Sequence, residues 1–157
     1  YNHKNTGRPL QNGKWFEKFR SNYLDVDNDA LYPFGYGLSY TTFQYGDIVL
    51  NTPTMKQNET ITATIQVTNS GKYDGAEVVQ LYIRDLVGSI TRPVRELKGF
   101  KKIFLKAGES KTVSFKITAD LLRFYDYDLN QVTEPGEFDI FIGGSSQATK
   151  TARLTLK

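Results

Sequence analysis

Cysteine is absent from the 157 residues, and histidine occurs once, as His3. The first absence excludes a disulfide framework, a zinc–thiolate site and a cysteine nucleophile. The second leaves no basis for a multi-histidine metal site or a triad built on an internal histidine. Tryptophan and methionine also occur once each. No apolar run approaches the ~20 residues that cross a bilayer as a helix. Neither sign of charge dominates: 20 basic against 17 acidic residues leave a net charge of +3. A nucleic-acid binder gathers its cations into a patch or stripe. The densest basic stretch here runs from Arg92 to Lys106, with Phe100 and Phe104 interleaved. We read it as a solvated strand edge and loop, because lysines along an edge discourage further pairing. No nucleic-acid partner and no membrane span are expected.

Aromatic residues are plentiful, at 13% with ten Tyr and ten Phe, and 39% of the chain is hydrophobic. That composition excludes intrinsic disorder and suffices for one domain with a real core. The chain opens on Tyr1 rather than Met. We therefore expect a piece of a longer polypeptide or a processed product.

Two textures divide the sequence. Residues 1–42 are rich in Asn, Gly, Tyr and Phe and follow neither a period of two nor one of 3.6. A stretch this aromatic is not a flexible linker. Its apolar side chains need another surface to cover. From Phe43 onward the period is two. In Thr60–Thr68 the odd positions are apolar and the even ones polar, the pattern of a half-buried strand. Val79, Leu81 and Ile83 alternate likewise, as do Val113, Phe115 and Ile117, then Phe138, Ile140 and Ile142, then Ala152, Leu154 and Leu156. Phe43 to Leu50 reads as a first strand with a bulge at Gly46, and Lys98 to Leu105 as a less regular one. Turn signals separate the runs at Asn69-Ser70-Gly71, Ala107-Gly108-Glu109, Glu134-Pro135-Gly136 and Gly143-Gly144-Ser145. Thr118 to Leu122 predicts one helical turn capped by Thr118. About seven short strands with turns between them predict an all-β, antiparallel sandwich, and no βαβ rhythm suggests a parallel sheet.

No constellation assembles an active site. Asp25-Val26-Asp27-Asn28-Asp29 starts like a calcium loop, but Ala30 and Tyr36 stand where the loop needs Gly and Glu. Gly35-Tyr36-Gly37 lacks the third glycine and the strand–helix context of a dinucleotide fingerprint. Asp126, Asp128, Glu134, Glu137 and Asp139 offer carboxylate pairs of the kind glycoside cleavage uses, without a signal to choose among them. Trp15, Phe16 and Phe19 could stack on sugar, but their spacing reads first as one side of a short helix. Asn58-Glu59-Thr60 fits the N-glycosylation acceptor pattern, and His3 reads as a surface or interface residue. Catalytic, cofactor and metal residues are all expected to be absent.

Leu31-Tyr32-Pro33-Phe34-Gly35-Tyr36-Gly37-Leu38-Ser39-Tyr40-Thr41-Thr42-Phe43 resembles the junction segment of family 3 glycoside hydrolases, the β-glucosidase and β-xylosidase family. Val67 to Gly71, Gly75 to Tyr82, Arg92 to Lys102, Leu105 to Glu109 and Glu134 to Phe138 are similar, in order, to stretches of that family's C-terminal fibronectin type III-like domain. Tyr1 to Pro9 is similar to the end of the preceding α/β domain in periplasmic bacterial β-glucosidases. The resemblance implies an immunoglobulin-like, fibronectin type III-like sandwich over 43–157, preceded by a junction segment over 1–42 that wraps it. It implies a non-catalytic accessory domain whose parent is a retaining β-glucosidase acting on terminal β-D-glucosyl residues. The parent's nucleophile and acid/base carboxylate belong to domains upstream of these residues, so no position here inherits either role. The expected partners are those catalytic domains, met through Tyr32, Phe34, Tyr36, Leu38 and Tyr40. The resemblance also implies a periplasmic or secreted setting. Two other readings remain open. A carbohydrate-binding module would present exposed aromatics to an oligosaccharide, with Tyr82 and Phe141 as the candidates on outward-phase positions. An adhesion or protein-interaction sandwich would share the fold alone.

Overall fold

The computed structural model describes Arg8, residues 17–20 and residues 30–157. His3, Trp15, Phe16 and the Asp25–Asp29 run lie outside the described residues. Residues 17–20 form a turn closed by the Arg20 amide on the Glu17 carbonyl. Phe19 there has a φ of 65°, which no α-helix accommodates, and its ring is exposed. The short helix expected around Trp15, Phe16 and Phe19 is therefore not what residues 17–20 adopt.

Two sheets face each other, as the alternating pattern predicts. The first joins β1 (Phe43–Tyr45), β2 (Val49–Leu50), β4 (Thr60–Asn69) and β7 (Ser110–Thr118). Strand β4 is its centre, paired antiparallel with β7 on one side and with β1 and β2 on the other. The expected single strand from Phe43 to Leu50 is thus two short ones. The break falls at Gly46, whose amide still donates to the Gln66 carbonyl across the gap. The second sheet runs β3 (Thr54–Met55), β11 (Thr151–Leu156), β10 (Gly136–Gly143), β5 (Gly75–Asp85) and β6 (Glu96–Leu105) in that order. All its pairings are antiparallel except that of β3 with β11. Helix α1 (Ala119–Leu122) is the predicted single turn, with the Thr118 hydroxyl accepting from the Leu121 amide. The small ribbon β8 (Phe124–Tyr125) and β9 (Gln131–Val132) follows it.

The core fills the space between the sheets. Ile61, Ala63, Ile65 and Val67 of β4 and Val113, Phe115 and Ile117 of β7 come from one side. Val79, Leu81 and Ile83, Phe138, Ile140 and Ile142, and Leu154 and Leu156 come from the other. The alternating positions read from the sequence are these buried ones, with Ala152 only partly covered. Each fully buried Ile or Leu contributes roughly 1.5–3 kcal/mol relative to an exposed one. The architecture is the all-β, immunoglobulin-like sandwich predicted.

A strap across the outer sheet face: the candidate functional site

Residues 33–41 cross the outer face of the five-stranded sheet. Period-two geometry puts Gln80 and Tyr82 on that face of β5 and Phe141 on that face of β10, where Phe141 pairs with Tyr82. The Gln80 amide nitrogen donates to the Gly35 carbonyl at 3.0 Å and to the Gly144 carbonyl at 2.7 Å. The Tyr82 hydroxyl donates to Gln80 Oε1, with the Phe34 carbonyl 3.4 Å away. The Phe34 carbonyl also accepts the Ser146 amide at 2.8 Å. Gly35 lets the strap lie this close. Its φ is +78°, and a Cβ there would collide with Gln80 Oε1.

The strap is pinned again where it enters β1. Asn69, fully buried, accepts from the Thr41 hydroxyl at 2.6 Å and from the Gly71 amide at 3.1 Å. Its amide group donates to the carbonyls of Tyr73 and Leu105. One side chain thus joins the strap, the first sheet and the end of β6, with its own polar atoms satisfied. From sequence, Asn69 reads only as a turn residue. A Cβ on Gly71 would collide with Thr41 Oγ1, so Thr41 packs where only glycine leaves room.

The strap is anchored by the carbonyls of Phe34 and Gly35 and shows its rings. Pro33 is buried, whereas Tyr32, Phe34 and Tyr36 are exposed, and Leu38 and Tyr40 are 88% and 98% exposed. The rings of Tyr32 and Tyr36 stand 5.4 Å apart. Tyr82 and Phe141 behave in the opposite way. They are in the outward phase, as expected, but Tyr82 is 1% and Phe141 8% exposed. The strap covers Tyr82, and the Arg95 guanidinium stacks 3.8 Å from the Phe141 ring while donating to the Ser146 and Ala148 carbonyls. Neither ring offers the open platform that sugar contact requires. This corrects the exposure expected of both residues.

Several other sequence candidates take structural roles. Arg92 pairs with Glu96 at 2.8 Å and stacks on Phe124, Lys98 pairs with Glu96, and Lys101 lies over Phe115. Asp126 closes its turn by accepting from the amides of Asp128 and Asn130. Glu134 holds the Ser89 amide, and Glu137 and Asp139 share Arg153. The Tyr45 hydroxyl reaches between the sheets to Glu77 Oε1 at 2.6 Å, in a cleft that Tyr36 and Gly144 also line. Burial there raises the Glu77 carboxyl above its ordinary value, partly opposed by the Tyr45 hydrogen bond. Burial and that same bond push the Tyr45 phenol far above its ordinary range.

Comparison with known proteins places this arrangement. The model of the fibronectin type III-like domain matches residues 77–146. A periplasmic beta-glucosidase of Salmonella typhimurium is 49% identical over 99% of this chain, which covers 20% of that protein. A beta-xylosidase of Formosa agariphila is 49% identical over 88% of this chain, which covers 19% of it. The crystal structure of a beta-glucosidase from Listeria innocua in complex with isofagomine superposes with a TM-score of 0.87 and 39% identity. That match covers 99% of this chain and 22% of the other. The chain spans about a fifth of the length of the relatives it matches. The chain thus carries a fibronectin type III-like domain and, its strap included in the matched length, is similar to one stretch of the much longer family 3 glycoside hydrolases.

Proposed function

We propose that the chain is the non-catalytic accessory domain of a family 3 glycoside hydrolase. In this reading residues 43–157 are the sandwich, and residues 1–42 are the junction that leads into it from an α/β domain. The observation that carries the reading is the strap. It is fixed to the sheet by its backbone, through Gly35 and Phe34, and at Thr41 by its hydroxyl, while Tyr32, Phe34, Tyr36, Leu38 and Tyr40 expose rings and chains. A segment anchored in this way with its apolar groups uncovered is built to be packed against from outside. The surface that covers it is the catalytic part of the same polypeptide. The sandwich then stabilises the enzyme and shapes access to its substrate.

The relatives named above support a parent that is a β-glucosidase, hydrolysing terminal β-D-glucosyl residues by a two-carboxylate retaining mechanism. Both carboxylates belong to that parent's other domains. The periplasmic relative supports a periplasmic or secreted setting. The test is direct. The intact parent releases nitrophenol from an aryl β-glucoside, and the purified 157-residue chain releases none. Release by the isolated chain would overturn the accessory role, and an inactive parent would overturn its class.

A further inference from the structure

The strap is not the only apolar feature on the outer sheet face. Strand β6 is the edge of the five-stranded sheet, and Phe100, Lys102 and Phe104 alternate on its outer side. Phe100 is 66% and Phe104 59% exposed. Register ties this stripe to the strap. Phe100 pairs with Gln80, the residue that holds the Gly35 carbonyl. Lys102 pairs with Val78, also exposed, and Phe104 with Ala76. Leu97, past the β-bulge, pairs with Tyr82 beneath the strap and is exposed as well. The composition of Arg92–Lys106 reads as a solvated edge. In the fold Arg92, Arg95, Lys98 and Lys101 are taken up by carboxylates or rings, and the outward side of β6 is apolar–cation–apolar.

We propose that the Phe100–Lys102–Phe104 stripe, with Val78 and Leu97, continues the strap's docking face, and that another domain of the same, longer polypeptide occupies it. The proposal rests on the accessory-domain reading above. The occupying surface offers two apolar hollows about 13 Å apart, the rise of four strand residues, with a carboxylate between them for Lys102. Three observations select this occupant. The stripe is continuous with a strap that leads into the sandwich from the preceding chain. The relatives carry about four times as much chain again as the part matched here. A second copy of this chain is disfavoured by charge, because a two-fold axis through the stripe sets Lys102 against Lys102.

The experiment compares the intact parent with the 157-residue chain. Hydroxyl-radical footprinting should oxidise Phe100 and Phe104 in the isolated chain and spare both in the intact protein. Phe100→Ser with Phe104→Ser should leave the thermal midpoint of the isolated chain in place and lower that of the intact protein by about 4 °C or more. Lys102→Glu should lower the intact protein's midpoint in the same way. Equal oxidation of both rings in the two proteins overturns the proposal. So does an isolated-chain dimer that Phe100→Ser dissolves while the rings of the intact protein still oxidise, which gives the face to a second copy. The two readings separate cleanly. Protected rings in a parent without glucosidase activity sink the functional reading and keep the surface. An active parent with oxidisable rings does the reverse.

Discussion

Single residues set how closely the strap can lie. Gly35 has both a left-handed φ and no room for a Cβ. Gly35→Ala therefore costs about 1–2 kcal/mol in backbone strain alone and forces the strap off Gln80. The Ser146 amide, which bonds the Phe34 carbonyl, should lose its hydrogen-exchange protection in that variant. A Ser146 amide as slow as in the wild type would refute this account of the strap. Glu77 makes a pH-dependent contribution. Its folded pKa is raised, so the native state holds the proton more tightly than the unfolded chain. Its contribution to stability then falls as pH rises from the ordinary glutamate value through the folded one. The Glu77→Gln substitution keeps an acceptor for the Tyr45 hydroxyl and removes the charge. Urea denaturation should show this variant gaining stability over the wild type as the pH rises above the ordinary glutamate value. A gap that narrows with rising pH would be the wrong sign.

At the level of elements, β4 is as its sequence dictates. Each apolar odd position from Ile61 to Val67 is buried, and Thr60 and Gln66 face water. Strand β5 obeys the same period yet is buried from Val79 through Ile83, on both faces. Its outward residues, Gln80 and Tyr82, are covered by a strap more than 40 residues earlier in the chain. Local alternation cannot report a cover supplied from so far away, and for the same reason the stacking of Arg95 on Phe141 was invisible. Asn69 shows a related limit: a turn-forming residue type says nothing of the carbonyls it will meet, such as that of Leu105. The strap itself was legible as an aromatic stretch in need of a surface. What it needed first was this sheet, through its backbone. Removing it is the element-scale test. A chain of residues 43–157 uncovers Tyr82 and leaves the Gln80 amide without the Gly35 carbonyl. It should be less stable than the 157-residue chain by about 2 kcal/mol or more in urea denaturation. An unchanged midpoint would make the strap a passenger.

Across the whole molecule, most of the charged side chains that the sequence singles out among the described residues are occupied with partners inside the sandwich. Asp126, Glu134, Glu137 and Asp139 hold turns or an arginine, and Arg92, Arg95, Lys98 and Lys101 hold carboxylates or rings, which leaves Lys102 outward. Toward the β6 edge of the five-stranded sheet, Val78, Leu97, Phe100 and Phe104 stay outward and apolar, on the face that the strap crosses. The closing of that sheet has a further consequence. Strand β3 pairs with β11, so Thr54 meets Thr155 and Met55 meets Leu156, about a hundred residues apart. The Lys157 amide then completes the seam on the Met55 carbonyl. During synthesis, therefore, β10 has an open flank and β3 has no neighbour until the residues around Leu156 have left the ribosome. The nascent sandwich is sealed by β11, and its greatest exposure to mispairing falls in the moments just before that strand emerges.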